Sequence, residues 1–165
     1  MFQIILIFGI CGALRCDEAK NMKVDDVEDL GDWLLISVRE NINDFPGQFM
    51  IGNLFYSKVK AYIDLRPPDQ FSDRFSINYQ KDKCTRQPIG RHKIGEVPSE
   101  IASFLGLKDV KKYTGHCFRR TAATLLSESG AGIQFIKQMG NWRSDMIAQD
   151  YIDNSMLNKE IYSIV

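Results

Sequence analysis

A histidine and an arginine three positions apart open the most informative stretch of this sequence. Residues 113–124 read YTGHCFRRTAAT and place His116 and Arg119 on one face of a predicted helix, near its first turn. A helix start attracts anions, a guanidinium fork binds phosphate oxygens, and an imidazole transfers protons near neutral pH. The pair therefore indicates phosphate chemistry rather than a cation site. A surface histidine beside a solvated arginine remains the alternative at this point.

Two further candidates lie nine positions apart near the C-terminal end. Residues 139–151 read MGNWRSDMIAQDY, with a helix start between Trp142 and Tyr151. An indole N–H donates a hydrogen bond and cannot accept one, so beside a phosphate it stabilises negative charge without competing for the proton. Taken singly, a tryptophan in the core and a half-buried helical tyrosine are the more common explanations.

The fifth candidate, Arg15, lies far upstream. It follows the apolar run 1–13 and precedes Glu18 by three positions. Arg15 is either the solvated end of a helix or a buried guanidinium that the Glu18 carboxylate holds in place.

The elements that must position these residues are mainly helical. Apolar periodicity and turn residues predict helices over 2–21, 54–65, 99–105, 114–129 and 133–139, one that Ser144 caps and that carries Tyr151, and a terminal one with Leu157, Ile161 and Ile164 on one face. The predicted strands are 30–38, 48–51 and 75–79, with a hairpin loop at 39–47 and a polar loop at 80–93. Thr114 is predicted to cap its helix, which turns Phe118, Ala122 and Leu125 to the core. The fold class is α+β, mainly helical.

Composition limits the class of protein further. The chain has 165 residues, 44% hydrophobic and 25% charged, enough for one domain with its own core. A net charge of zero argues against a general polyanion binder, yet residues 58–120 hold 14 Lys and Arg against 7 Asp and Glu. This middle segment either presents a basic face to nucleic acid or forms an ordinary solvated surface, which charge alone favours.

The N-terminal run and the cysteines indicate a reduced intracellular protein. The run 1–13 has no basic residue before it and acidic residues soon after it, so it predicts a buried helix rather than a signal peptide. It is also too short to span a membrane. The four cysteines are widely spaced and form no CxxC pair.

In combination, the order Arg, HxxR, Trp and Tyr resembles the catalytic domain of the tyrosine recombinases, the phage integrase family. The words NYQKDKCTRQPIG, YTGHCFRRTAATLL and GNWRSDMIAQDYIDNS are similar, more closely still, to the recombinases of eukaryotic Crypton-type transposons. The resemblance implies the tyrosine recombinase catalytic-domain fold with a small antiparallel sheet, and a nuclear location. Residues 1–165 are then expected to form a single, N-terminally truncated catalytic domain without the N-terminal core-binding domain.

The resemblance also implies a role for each candidate. Arg15 and Arg119 would bind the non-bridging oxygens of the scissile phosphate, and His116 would assist proton transfer. Trp142 stands where many relatives have a second histidine. Tyr151 would attack phosphorus to leave a 3′-phosphotyrosine and a free 5′-hydroxyl. The covalent link keeps the energy of the broken bond, so neither a nucleotide cofactor nor a metal is expected.

The implied partner is double-stranded DNA, with self-association on DNA through the C-terminal helix and with no membrane or small-molecule substrate. Candidate contacts with the DNA backbone are Lys81, Lys83, Arg86, Arg91, Lys93 and Arg120.

One departure from the family pattern leaves two functions open. Relatives use a lysine in the hairpin after the first arginine as the general acid, whereas residues 39–47 contain none. Arg39 is a poor general acid, because a guanidinium does not give up its proton in proteins. The chain is therefore either a DNA strand transferase or a catalytically degenerate, transposon-derived DNA-binding or interaction module. Chance matches in an unrelated helical domain are a third explanation, which five ordered matches disfavour.

Overall fold

The computed structural model describes residues 1–39, 47–67, 69, 71–142 and 144–153, without the side chains of Asn53 and Tyr151. In chain order the elements are α1 (Phe2–Cys11), α2 (Cys16–Asn21), β1 (Val27–Asp29), β2 (Trp33–Val38), β3 (Gly47–Gly52), α3 (Tyr56–Asp64), β4 (Ile77–Gln80), β5 (Lys83–Pro88), α4 (Arg91–Phe104), α5 (Cys117–Glu128), α6 (Ile133–Met139) and α7 (Asp145–Asp153). The predicted class, α+β and mainly helical with small antiparallel sheets, is confirmed.

Helix α1 lies at the centre of the main core, as its uniformly apolar sequence predicts. Its Phe8 is 2% exposed and stacks on Phe75, with ring centroids 5.2 Å apart. The same ring meets Phe49 of β3 edge-on at 6.0 Å, and Tyr62 of α3 lies against Phe75 at 5.7 Å. This helix therefore joins both sheets and α3 into one core. None of the helices in the described ranges is long and apolar enough to cross a membrane.

The prediction of one continuous helix over 2–21 is wrong, because the chain breaks between α1 and α2. Gly12 follows the last residue of α1, and Ala13 takes a left-handed conformation with φ 46°. Arg15 is extended, and Glu18 in the first turn of α2 accepts its backbone N–H at 2.7 Å. Gly12 and the acidic pair at 17–18 are typical of a helix stop followed by a start. The break places Arg15 in a connection rather than within a helix.

The main sheet has three antiparallel strands in the order β1-β2-β3. Its inner face is formed by Leu34, Ile36 and Ile51, each at most 1% exposed. The register runs from Trp33 opposite Gly52 to Val38 opposite Gly47. Strand β1 lies before the predicted strand 30–38 and was not predicted; a turn at Gly31 (φ 98°) separates it from β2, which begins at Trp33 rather than at residue 30. The hairpin connection 40–46 lies outside the described residues.

The predicted polar loop over 80–93 is wrong in most of its length. It contains the turn and second strand of the β4–β5 hairpin and the first residues of α4. Lys81 and Asp82 both have positive φ, 51° and 60°, which is the geometry of a tight two-residue hairpin turn. Such turns usually carry Asn or Gly, so Lys-Asp concealed the hairpin from the sequence reading.

Helix α4 begins earlier than predicted. It covers 14 residues from Arg91, whereas the sequence predicts a start at Ser99. Pro98 lies buried inside the helix. Ser99 does not cap the helix, because its hydroxyl donates to the Glu96 carbonyl at 2.7 Å. The extra turns bring Arg91 and Gly95 against α2.

The predicted helices of the last third are confirmed as α5, α6 and α7, with two local corrections. Thr114 does not cap α5; His116 occupies the cap position without a side-chain bond to the helix. Leu125 is 50% exposed rather than in the core. A second small core of Ala123, Ile136 and Ala148 joins the three helices. The predicted terminal helix with Leu157, Ile161 and Ile164 lies outside the described residues.

Helix α3 is tied to β1 by a polar cluster around Asp29. Lys60 donates to one carboxylate oxygen at 2.7 Å, and the Tyr56 hydroxyl donates to the other at 2.9 Å. Together with the backbone N–H of Gly31, these bonds lower the pKa of Asp29 to about 2, with the Lys60 bond as the largest cause.

The Asp29 cluster predicts a specific dependence of stability on pH. A carboxylate whose pKa is lowered by folding stabilises the protein fully above about pH 4, and that contribution is lost as the pH falls towards 2. Asp29→Asn should therefore lower the thermal midpoint at pH 6 and weaken its decline between pH 4 and 2, as followed by circular dichroism. The exposed neighbour serves as the control, since Asp32→Asn should leave the decline unchanged. An unaltered decline in Asp29→Asn would contradict the prediction.

Candidate active site

Arg119 is the buried centre of the site. Its side chain leaves α5, where the residue is 6% exposed, and Nη1 donates to the carbonyl oxygen of Ala13 at 2.7 Å. A guanidinium keeps its charge even when buried, so it carries a fixed positive charge into the α1–α2 connection. That connection ends at Arg15, two residues after Ala13. The structure therefore brings Arg119 to the connection that carries Arg15, although the sequence separates the two arginines by more than 100 positions.

Trp142 covers one face of the Arg119 guanidinium. The carbon at the centre of the guanidinium lies 5.0 Å from the centroid of the indole ring, a cation–π contact. The indole folds back over Gly140, where an added Cβ would lie 2.3 Å from the ring. Glycine at 140 is thus required for the ring to lie where it does. Trp142 is therefore in direct contact with Arg119, one of the predicted phosphate-binding residues.

Arg15 is held by the glutamate that the sequence suggested. Its Nη1 donates to Glu18 Oε1 at 2.8 Å, and its backbone N–H donates to Oε2. The arginine side chain is 26% exposed, whereas the glutamate side chain is 7% exposed. A buried carboxylate thus holds a guanidinium that stays partly open to solvent. Of the two alternatives for Arg15, the structure shows the held one.

His116 lies at the surface beside the same connection. It is exposed at the start of α5, directly after Gly115. The backbone of Gly115 packs on the thiol of Cys16, the residue that follows Arg15. The structure thus brings Arg119 and Trp142 to the α1–α2 connection that carries Arg15, whereas His116 is linked to it only through its neighbour Gly115.

A cleft of about 880 Å³ is lined by Arg119 and Trp142, whereas Arg15 and His116 are not part of its lining. Arg119, Trp142 and Glu18 line one side, and residues of β3 and α6, such as Phe49 and Gln138, line the others. Its wall combines a buried cation with apolar surface. Because apolar walls exclude water, the field of the guanidinium acts more strongly there than in open solvent.

Tyr151 lies in the last turn of α7, and its side chain is outside the part of the chain that the structure describes. The helix packs against α5 and α6, with Ala148 fully buried in the small core. The backbone of Tyr151 is therefore carried by an element that rests on the Arg119 helix. Its approach to the two arginines stays a prediction.

Arg39 forms an ion pair at the base of the β2–β3 hairpin. The connection 40–46 of this hairpin is outside the described residues. Its Nε lies 2.7 Å from an oxygen of Asp26, which is 5% exposed, and Nη2 donates to the carbonyl of Asp25. The pair ties the end of β2 to the turn before β1. Arg39 is thus engaged with Asp25 and Asp26, and sequence spacing gave no sign of this pair.

The six candidate DNA contacts fall into two groups. Three are engaged in ion pairs: Arg86 with Asp69 at 2.6 Å, Arg91 with Asp17 at 3.3 Å, and Lys93 with Glu100. The other three, Lys81, Lys83 and Arg120, are exposed, the first two at the tip of the β4–β5 hairpin. Arg86 and Arg91 are exposed as well, so the two groups differ in their ion pairs rather than in access, and contact of all six with DNA remains a prediction.

The residue that the sequence analysis missed is Ala13. A non-glycine residue with φ 46° is uncommon, and here the left-handed conformation turns the carbonyl to Arg119. Alanine pays about 1–2 kcal/mol for that conformation. A left-handed alanine leaves no signal in the sequence, although Gly12 beside it marks the break.

Ala13 gives a paired prediction on stability. Ala13→Val should destabilise the fold by more than about 2 kcal/mol, because a β-branched residue resists positive φ and the site is 2% exposed. Ala13→Gly should stay within about 1 kcal/mol of the original protein, since relief of strain offsets the lost methyl and the added chain entropy. Urea unfolding measures both. Equal free energies of unfolding for the two variants would refute the role given to the left-handed turn.

Known proteins resemble this chain in family and fold. The model of the phage integrase family matches residues 3–158. A comparison with curated proteins finds no match. Among solved structures, the chain is similar to the XerA recombinase (TM-score 0.77, 23% identity, 97% of this chain and 54% of the other). It is also similar to the XerH site-specific recombinase bound to its difH substrate in a post-cleavage complex (0.75, 18%, 99% and 45%).

A third similar structure is the integrase of transposon Tn1549 in complex with circular intermediate DNA (TM-score 0.65, 12% identity, 99% and 59%). At these identities the likeness concerns the fold, and the chain spans about half the length of these relatives. The match of the family model over nearly the whole sequence, together with the shared fold, shows that this chain belongs to the phage integrase (tyrosine recombinase) family.

Proposed function

We propose that this chain is the catalytic part of a DNA strand transferase that cuts and rejoins DNA through a 3′-phosphotyrosine. The observation that carries the proposal is the buried Arg119, which donates to Ala13 beneath Arg15 while Trp142 covers its face. A guanidinium keeps its charge when buried, and this one lines an open cleft, where it attracts anions. A backbone phosphate is the anion that fits two arginine forks and an indole donor.

The proposed reaction gives a role to each of five side chains. Trp142 donates its indole N–H to a phosphate oxygen, and the other four are Arg15, His116, Arg119 and Tyr151. The Tyr151 oxygen attacks phosphorus, the bond from phosphorus to the 5′-oxygen breaks, and the 5′-hydroxyl leaves with a proton. A phenol has a pKa of about 10 and needs activation. The two guanidinium groups favour the phenolate and neutralise charge on the phosphate oxygens. His116 assists the transfer of the proton from the Tyr151 hydroxyl. The second half reverses these steps with another 5′-hydroxyl.

The relatives give the proposed partners. The XerH structure is a post-cleavage complex with DNA, and a lambda integrase structure is a dimer on a core site. We extend double-stranded DNA and self-association on DNA through the C-terminal helix to this chain. The quoted sequence words support descent from a Crypton-type transposon, and with it a nuclear location.

A specific observation favours a second candidate, the catalytically degenerate module. The sequence has no lysine between Lys23 and Lys58, so the hairpin offers no ammonium group to protonate the leaving oxygen. Arg39, the nearest cation, is paired with Asp26. A protein that binds DNA without breaking it needs no such acid.

Two nicked substrates separate these candidates. Each substrate is a pool of randomised duplexes with a nick that traps the covalent adduct. In the second substrate, sulfur replaces the scissile 5′-oxygen. A thiolate leaves without a general acid, because thiols are far more acidic than alcohols. The strand transferase should form an adduct with the sulfur substrate, mapped to Tyr151 by mass spectrometry and absent in Tyr151→Phe. Salt-sensitive DNA binding without an adduct on either substrate would establish the module instead.

A further inference from the structure

We propose that Cys16 is a positioning residue: its thiol is the spacer that sets the distance between the segments carrying Arg15 and His116. The inference rests on the proposed function for its catalytic meaning, but the contact itself is a property of the fold.

The contact is tight on one side and ordinary on the other. A Cβ added to Gly115 would lie 2.4 Å from the sulfur of Cys16 and 3.4 Å from the Cα of Gly95. A Cβ added to Gly95 would lie 3.9 Å from the same sulfur, at van der Waals distance. The sulfur thus lies where a side chain at 115 would begin, in a space closed from behind by α4.

Position along the chain gives this contact its importance. Cys16 directly follows Arg15, and Gly115 directly precedes His116. Of the three segments that meet at this contact, α2 and α4 are held in place. The Arg15–Glu18 bonds fix the start of α2, and the ion pair of Arg91 with Asp17 ties α4 to the same turn. A change in the size of the spacer must therefore be absorbed by the Gly115–His116 segment.

The chemistry of the thiol suits a spacer rather than a nucleophile. Burial raises the pKa of Cys16, so the group remains an uncharged thiol near neutral pH. A free cysteine in such surroundings packs as a small apolar residue. Serine, which is close in size, should replace it, whereas alanine leaves a gap and any side chain at 115 overfills the space.

An exchange of atoms across the contact tests the proposal. Cys16→Ala should slow adduct formation at saturating DNA by about 3- to 10-fold, and Gly115→Ala by about 10- to 100-fold, since small displacements of reacting groups cost about 10² in rate. The double variant Cys16→Ala/Gly115→Ala replaces the sulfur with a methyl group from the opposite side. It should recover to within about 3-fold of the original rate, as should Cys16→Ser.

Controls separate positioning from folding and binding. Gly95→Ala adds a methyl group at the ordinary contact and should keep the original rate, and DNA affinity should be equal in all variants. Original rates in both single variants, or a double variant slower than either, would overturn the proposal. If the unmutated protein forms no adduct, the proposed function fails, and the His116 ring resonance in NMR spectra tests the spacer alone. That resonance should shift in Gly115→Ala and return in the double variant; an unshifted or unrestored resonance overturns the spacer too.

Discussion

Replacing Arg119 with alanine is expected to lower the rate of adduct formation at saturating DNA by about 10²–10³, because removal of one preorganised donor to a transition-state oxyanion has that cost. The side chain is held between Ala13 and Trp142, so no neighbour can take its place without movement. Arg119→Lys keeps the charge but loses the planar fork, and it should recover little of the rate. Single-turnover gel assays on the sulfur-containing nicked duplex measure both variants.

Arg120 provides the matched control for this experiment. It is the next residue of the same helix and is exposed, so Arg120→Ala removes an equal charge outside the site. We expect it to weaken DNA binding slightly and to leave the rate at saturation unchanged. Equal loss of rate in the two alanine variants would show that general charge, rather than the buried fork, drives the reaction.

Glu18→Ala is expected to affect both stability and rate. The carboxylate is 7% exposed and accepts two bonds from Arg15, one from the backbone and one from the guanidinium. Loss of hydrogen bonds to a charged group costs about 1.5–3 kcal/mol each, and the partial exposure of Arg15 reduces this, so we expect about 2–3 kcal/mol in all. The released guanidinium should also lower the rate by at least about 10-fold.

Two measurements distinguish these effects of Glu18. Urea unfolding gives the stability change, and adduct formation well below the unfolding transition gives the rate. Glu96→Ala, at an exposed site on α4, is the control and should change neither. A destabilised Glu18→Ala protein with the original rate would mean that the carboxylate serves only the start of α2.

Local signals were sufficient for much of the fold. The apolar run of α1, the stripe of α6 and the turn residues around β2 and β3 all predict the elements that form. The failures have a common cause, namely backbone conformations without their usual residues. Ala13, Lys81 and Asp82 adopt positive φ where glycine or asparagine is expected, and each conceals a boundary. Helix α4 differs, because it begins at Arg91, before the predicted start at Ser99, and contains Pro98 in its interior.

The sequence proposes the members of the candidate site but not the contacts between them. Arg15 and Glu18 lie three positions apart, so a local pattern suggested their pairing. The bond from Arg119 to Ala13 and the pair of Arg39 with Asp26 depend on how distant elements pack, which spacing does not encode. The contact of Cys16 with Gly115 is likewise visible only once the chain is folded.

The stacking of Trp142 on Arg119 equips the molecule with its own optical reporter. The sequence has two tryptophans, and the other, Trp33, is 48% exposed on the main sheet. Indole emission responds to charge at its ring face. An anion that binds the Arg119 guanidinium should therefore change the fluorescence of Trp142, with Trp33 as an internal reference. Ligand arrival in the cleft can thus be timed without any dye.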